Sequence, residues 1–220
     1  MKSTFAILAR NLLGPTIKRF FIEEVKGQEN IPQDTNFILA SNHQSYFDHF
    51  FVPLPIRDRL ERVRFIGKLD SKWQALQWGW FYWLAETIPI NRKAEDKRKV
   101  LDIALEVLKR GGIIIIYPEG KRNREKELLE GKTGVAELAV KSEKPVIPLG
   151  LIYKNNNPPT LPACLNVGNP MYFRKSENCQ NLREITDKIM REIAKLSEKT
   201  YAPLEVLGRK NFQEIFSTGR

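Results

Sequence analysis

Histidine and cysteine are scarce in this chain, with two of each among 220 residues. Cys164 and Cys179 are too few for a disulfide framework and have no metal-ligand spacing. Beside only His43 and His49, they give no basis for a zinc site, so no metal is expected and a reducing compartment is the default. Helix-turn-helix, zinc-finger and aromatic RNA-binding signatures are missing, so no nucleic-acid partner is expected. No apolar run reaches the roughly 18 residues that would suggest a membrane-spanning helix. Near the amino terminus Arg10 interrupts the apolar stretch and no small-residue cleavage site follows, which argues against a secretory signal. Internal repeats and domain linkers are missing too.

What is present is enough apolar sequence, 42%, to fill one well-buried domain. Thirty-six Lys and Arg stand against 26 Asp and Glu, a net charge of +10. That balance suits an anionic membrane, an acidic substrate or nucleic acid, and composition alone does not choose.

Residues 1–22 carry Phe5, Leu8, Leu12, Leu13, Ile17, Phe20 and Phe21 at helical spacing, interleaved with Lys2, Arg10, Lys18 and Arg19 and split at Gly14-Pro15. They read as amphipathic helices lying in a membrane interface; packing on the domain's own core is the alternative. Residues 23–200 read as the main domain, and 201–220 as a weakly patterned tail. Trp73, Leu76, Trp80 and Trp83 share a helical face, while Trp78, Phe81 and Tyr82 make the other side apolar. Such a helix is buried, touches lipid or walls an acyl-chain tunnel. Arg57, Arg59, Arg62, Arg64, Lys68 and Lys72 form either a solvated rim or a surface for anionic groups. Strands are expected at 21–27, before His43, at 63–66, 113–116 and 145–148, and around Gly168-Asn169-Pro170. Helices are expected at 94–110, 133–141 and 182–196. This alternation predicts an α/β sandwich with a mainly parallel central sheet flanked by helices.

The chemistry concentrates after the apolar run Phe37-Ile38-Leu39-Ala40. A strand there delivers His43 to a loop, and Ser45 opens a short helix with Asp48 three residues on, as in a capping box. Asp48 can turn back to the imidazole and fix its tautomer, making His43 a general base. No Ser or Cys nucleophile is evident beside the pair, which favours direct deprotonation of a substrate hydroxyl. Spacing alone fits equally well a loop histidine beside a helix cap.

Asn42-His43-Gln44-Ser45-Tyr46-Phe47-Asp48 resembles the His-X4-Asp motif of the glycerolipid acyltransferase superfamily, whose best-known members are the 1-acylglycerol-3-phosphate O-acyltransferases. Further blocks follow in the family's order. Ile88-Pro89-Ile90-Asn91-Arg92 resembles its second block, and Tyr117-Pro118-Glu119-Gly120-Lys121-Arg122-Asn123 its Phe-Pro-Glu-Gly-Thr-Arg-Ser block. Lys132-Thr133-Gly134 and Val146-Ile147-Pro148-Leu149-Gly150 resemble the later ones. Glu86 stands in place of the family's Gly, Asn91 of its Asp, Lys121 of its Thr and Tyr117 of its Phe.

The resemblance implies transfer of a fatty acyl group from a coenzyme A or acyl-carrier-protein thioester to the free hydroxyl of 1-acylglycerol-3-phosphate, giving phosphatidate. His43 and Asp48 would be catalytic. Arg92 and Arg122 would grip the acceptor's phosphate, assisted by Lys121 or Lys68, with Gly120 allowing close backbone approach and Glu119 holding Arg122 or an acceptor hydroxyl. Backbone N–H groups near Glu119 and Gly120 would serve the oxyanion. No cofactor is implied beyond the acyl donor, which is a substrate. The partners implied are a lysophosphatidate-like acceptor and a lipid surface, with the protein membrane-associated on the cytoplasmic face. Glycerol-3-phosphate or another lysolipid as acceptor is the nearest alternative; a lipid-binding protein without catalysis is the alternative of another class.

Overall fold

A computed structural model describes residues 19–68, 88–90, 94–154, 161–174 and 181–203. Among them seven strands form one mixed sheet: β1 (Ile22–Lys26), β2 (Ile38–Ser41), β3 (Val63–Lys68), β4 (Ile88–Ile90), β5 (Ile113–Ile116), β6 (Val146–Tyr153) and β7 (Ala163–Val167). Their spatial order is β1-β7-β6-β2-β5-β3-β4. Five of the six pairings are parallel, as expected, and β6 with β7 is antiparallel. The exception has a local cause: only residues 154–162 separate these strands, too few for the crossover a parallel pair needs. Four α-helices are described: α1 (Asp48–Phe51), α2 (Ala94–Lys109), α3 (Gly134–Ser142) and α4 (Leu182–Leu196). A tighter 3-10 segment, Leu54–Arg62, follows α1.

The sheet separates two apolar layers. Alternate residues of the central strands, among them Leu39, Ile113, Ile115, Ile147 and Leu149, pack with Phe51, Val52, Leu54 and Ile56 from α1 and the segment after it. Their neighbours Ile38, Ala40, Ile114 and Val146 face the other way, onto α2, α3 and α4. The isoleucine run of β5 is therefore apolar on both faces because both faces are covered. Ile113, Ile114 and Ile115 are fully buried, and burying each contributes about 2–3 kcal/mol. That anchoring leaves little freedom to the turn β5 carries at its carboxyl end. In α4, Ile185, Ile189, Met190 and Ile193 form the buried stripe that the spacing predicts. Helix α2 stops where Gly111 takes a left-handed φ of 81° and the Gly112 N–H bonds back to the Val107 carbonyl at 2.8 Å. Arg62 adds two bonds to the Gly111 carbonyl, at 2.9 and 2.6 Å.

Two local expectations are corrected. Helix α1 starts at Asp48 and not after Ser45, although the Ser45–Asp48 pairing of a capping box is present, with Ser45 Oγ accepting the Phe47 N–H at 3.3 Å and Asp48 Oδ2 the Ser45 N–H at 2.9 Å. The Asp48 carboxylate reaches back to backbone N–H groups and the His43 ring, so the chain stays in a turn through Tyr46 and Phe47. Between 161 and 174 there is one strand, β7. Met171 makes only an isolated bridge to Val146, because Pro170 offers no N–H and the Gly168 N–H is bonded to the Pro148 carbonyl. Of the amphipathic segment 1–22, residues 1–18 lie outside the described residues, as do the Trp-rich stretch from Trp73 to Leu84, Asn91, Arg92 and residues 204–220. Residues 19–21 are helical, and Phe20 is 67% exposed. Among the described residues no helix is long and apolar enough to cross a membrane.

Candidate active site

The site begins where β2 stops pairing through its backbone. The Asn42 side chain replaces a ladder bond: its Nδ2 donates to the Leu151 carbonyl at 2.9 Å and its Oδ1 accepts from the Leu151 N–H at 2.8 Å. Gln44 Nε2 donates to the same carbonyl at 2.8 Å. Two buried amides thus tie the loop to β6 while the backbone turns and lifts His43 off the sheet. His43 lies at the carboxyl edge of the parallel strands, where open α/β sheets place their ligands.

His43 Nδ1 is 2.7 Å from Asp48 Oδ2. The same oxygen accepts the N–H groups of Gln44 at 2.6 Å and Ser45 at 2.9 Å, and Oδ1 accepts the Tyr153 hydroxyl at 2.5 Å. The carboxylate is fully buried and is surrounded by donors, which is what keeps a buried charge tolerable. An acceptor there requires the proton on Nδ1, so Nε2 carries the free lone pair. The imidazole is 13% exposed, enough for a small group to reach it. Burial, followed by the nearby Asp48 charge, pushes the Tyr153 hydroxyl far above its usual range, so it stays a proton donor.

The turn after β5 supplies the other wall. Tyr117 stacks on the His43 ring, with centroids 4.2 Å apart and planes 17° from parallel. The Gly120 N–H bonds to the Tyr117 carbonyl at 3.0 Å, so the turn itself uses that oxyanion donor expected from the sequence. Gly120 has φ 68°, a conformation that favours glycine, with the Lys132 side chain packed over it. Glu119 is buried, and its carboxylate accepts three N–H bonds: Oε1 from His43 N at 3.2 Å, and Oε2 from Asn123 Nδ2 at 2.8 Å and Leu129 N at 3.0 Å. Burial pushes Glu119 upward, and those bonds partly offset the shift. Glu119 therefore serves the loop and His43's backbone.

Lys121 and Arg122 are exposed beside the turn, with the Arg122 guanidinium 3.7 Å over the ring of Tyr46. Lys68 ends β3 at the same edge of the sheet, and Arg92 lies outside the described residues. One residue joins the site that the sequence reading did not place there. Tyr153 was signalled only as a hydroxyl-bearing ring closing an otherwise aliphatic strand. His49, six residues after His43 in the chain, brings its ring within 5.3 Å of both His43 and Tyr117. Burial, then the neighbouring His43, pushes His49 down to about 4, so it is neutral at physiological pH.

The family model described as Acyltransferase matches residues 23–152. The 1-acyl-sn-glycerol-3-phosphate acyltransferase alpha of Mus musculus is 33% identical over 128 residues, covering 57% of this chain and 44% of the relative. The chloroplastic 1-acyl-sn-glycerol-3-phosphate acyltransferase BAT2 of Brassica napus is 28% identical over 149 residues, covering 66% and 41%. The chain thus spans less than half the length of these two relatives. The crystal structure of the 1-acyl-sn-glycerophosphate acyltransferase PlsC from Thermotoga maritima has the same fold, with a TM-score of 0.63 over 91% of this chain and 90% of that one, at 23% identity.

Proposed function

Because this chain belongs to the acyltransferase family, we propose that it moves a fatty acyl group from a coenzyme A or acyl-carrier-protein thioester to the free hydroxyl of 1-acylglycerol-3-phosphate, forming phosphatidate. The observation that carries this reading is the 2.7 Å contact between His43 Nδ1 and a buried, donor-saturated Asp48, which leaves Nε2 as the acceptor at the sheet's carboxyl edge. Nε2 takes the proton of the acceptor hydroxyl as its oxygen attacks the thioester carbonyl. Asp48 stabilises the resulting imidazolium, with Tyr153 and two backbone N–H groups holding the carboxylate in place. Collapse of the tetrahedral species breaks the C–S bond, and His43 returns its proton to the leaving thiolate. The acyl donor is a substrate, and the chemistry calls for no further cofactor.

Arg122 and Lys121 are exposed cations that follow the turn, beside Lys132 packed over Gly120, and suit the acceptor's phosphate. Arg92 and Lys68 join them in this reading, whereas the Lys132 side chain, packed over Gly120, fills the space in which the resemblance would put the acceptor. Residues 1–22 hold the protein on the cytoplasmic face of a membrane, a placement supported by exposed Phe20 and the net charge of +10.

The test is an acceptor panel with one acyl thioester. Lysophosphatidate is expected to give phosphatidate with stoichiometric free thiol, while glycerol-3-phosphate and other lysolipids turn over more slowly. A faster rate on one of those acceptors would reassign the substrate. His43→Ala is expected to lower turnover by about two to four orders of magnitude, and Arg122→Ala to raise the acceptor KM. Ile22 belongs to the core, so the membrane deletion stops at residue 21; it is expected to release the protein from anionic liposomes.

A further inference from the structure

Besides its ring contacts, His43 is held by its main chain from both sides. Its N–H donates to Glu119 Oε1 at 3.2 Å, and its carbonyl accepts the Asn123 N–H at 2.7 Å. The two gripping residues also hold each other, Asn123 Nδ2 donating to Glu119 Oε2 at 2.8 Å. The ring closes upon itself: His43 to Glu119, Glu119 to Asn123, Asn123 to His43. Asp48 orients the imidazole, while this second set of bonds fixes the backbone from which the imidazole hangs. Both are needed to put Nε2 at a chosen point in space.

We propose that Asn123, acting on His43 through this closed ring, is a positioning residue of the acyl-transfer reaction; the role in catalysis rests on the acyltransferase reading above. Asn123 is buried, and its side chain meets three partners at once. Nδ2 donates to Glu119 Oε2 and, at 2.7 Å, to the Glu127 carbonyl, while Oδ1 accepts the Glu125 N–H at 3.1 Å. Two donors and one acceptor on a short stem are the inventory of a primary amide. A hydroxyl in its place would supply one donor, and a carboxylate none.

The loop that carries Asn123 is itself held from outside the span the family model matches. The Leu128 N–H donates to the Thr200 carbonyl at 2.8 Å, the Thr200 N–H to the Lys126 carbonyl at 3.0 Å, and Lys199 Nζ to the Glu125 carbonyl. Asn123 is therefore a junction: a firmly pinned loop on one side and the base on the other.

The test uses the full chain in detergent micelles with acyl-coenzyme A and lysophosphatidate. Asn123→Ala is expected to lower kcat about 10-fold, and Asn123→Asp about 100-fold, with both KM values within about 2-fold of wild type. The isosteric Asp is expected to be worse than Ala because its oxygen faces the oxygens of Glu119 and Glu127. A purely space-filling role predicts the reverse order, and that order overturns the proposal, as does a loss confined to KM. A second readout does not depend on turnover. Labelling histidine with 15N gives two backbone amide cross-peaks, one for each of the two histidines. The His43 cross-peak is expected to move in both variants; an unmoved one overturns the proposal. If the Asp variant does not fold, kcat and the cross-peak of the Ala variant decide. If the wild type makes no phosphatidate, the acyltransferase reading falls, and the cross-peak still decides whether Asn123 positions His43.

Discussion

Asp48→Asn removes one charge from the site with almost no change of shape, and the hydrogen bonds around Asp48 dictate how the amide must sit. Oδ2 faces three N–H groups, from His43, Gln44 and Ser45, so an NH2 in that place would confront three donors. The amide must present its oxygen there. Its nitrogen then faces the Tyr153 hydroxyl, which can rotate to accept instead of donate. The His43 tautomer is thus preserved and the fold survives, while the charge opposite the imidazolium is lost. With the charge centres about 4 Å apart and an effective dielectric constant of about 20, that interaction is worth at most about 4 kcal/mol. It corresponds to about three decades of rate, so kcat is expected to fall about 100- to 1,000-fold. The assay is thiol release from acyl-coenzyme A with lysophosphatidate, alongside 15N spectra of the imidazoles. A kcat within about 5-fold of wild type would show that the charge contributes nothing to the transition state. A proton found on Nε2 of His43 would refute the claim that backbone donors set the amide's orientation.

Three other outcomes are expected. His49 is held neutral with a pKa near 4 against the ordinary 6.5, so the unfolded chain takes its proton first as the pH falls. Stability is therefore lost from about pH 6.5 downward, reaching about 2–3 kcal/mol at pH 4.5. Urea titrations of wild type and His49→Leu at pH 7.5 and 4.5 isolate this contribution, and equal losses in the two proteins would remove His49 as its source. Tyr117→Phe deletes a buried hydroxyl that meets no hydrogen-bond partner. It is expected to raise stability by about 1 kcal/mol and Tm by about 2–4 °C, with kcat nearly unchanged because the ring still stacks on His43; a fall in Tm would contradict this. Glu119→Gln keeps two bonds if its oxygen takes the place of Oε2, but then sets its NH2 against the His43 N–H, and it is expected to cost about 1–3 kcal/mol in thermal unfolding. It should lower kcat through the His43 loop, and a change confined to acceptor KM would return Glu119 to direct substrate contact.

The elements most legible in the sequence were those whose apolar period is set by burial. The stripe Ile185, Ile189, Ile193 located α4 to the residue, and four successive isoleucines located β5, because a stripe fits a helix covered on one face and an unbroken run a strand covered on both. His43 and Asp48 were legible as a pair because five residues of loop and turn can bring an imidazole onto a carboxylate. The rest of the site depends on contacts that no local pattern encodes. Tyr153 reaches Asp48 from 105 residues away, and nothing in its strand distinguishes a catalytic neighbour from a core tyrosine. The antiparallel run of β7 was hidden for a different reason: side-chain alternation is the same in either direction, and only the length of the connection separates the two. Glu119 was visible as a motif position. Its duty toward the His43 backbone was not, because a carboxylate beside Lys121 and Arg122 reads as an ionic partner until its burial is known.

The short pairing of Thr200 with the loop at 126–128 has a practical corollary for anyone trimming this protein. The family model's match stops at residue 152, yet the folding unit does not. A fragment ending there would leave β6 without its antiparallel neighbour, strip Ile189, Met190 and Ile193 from beneath the sheet, and untie the segment that steadies the proton acceptor. Such a fragment should be recovered as aggregate, whereas one that runs through Pro203 retains every strand and every tether described above.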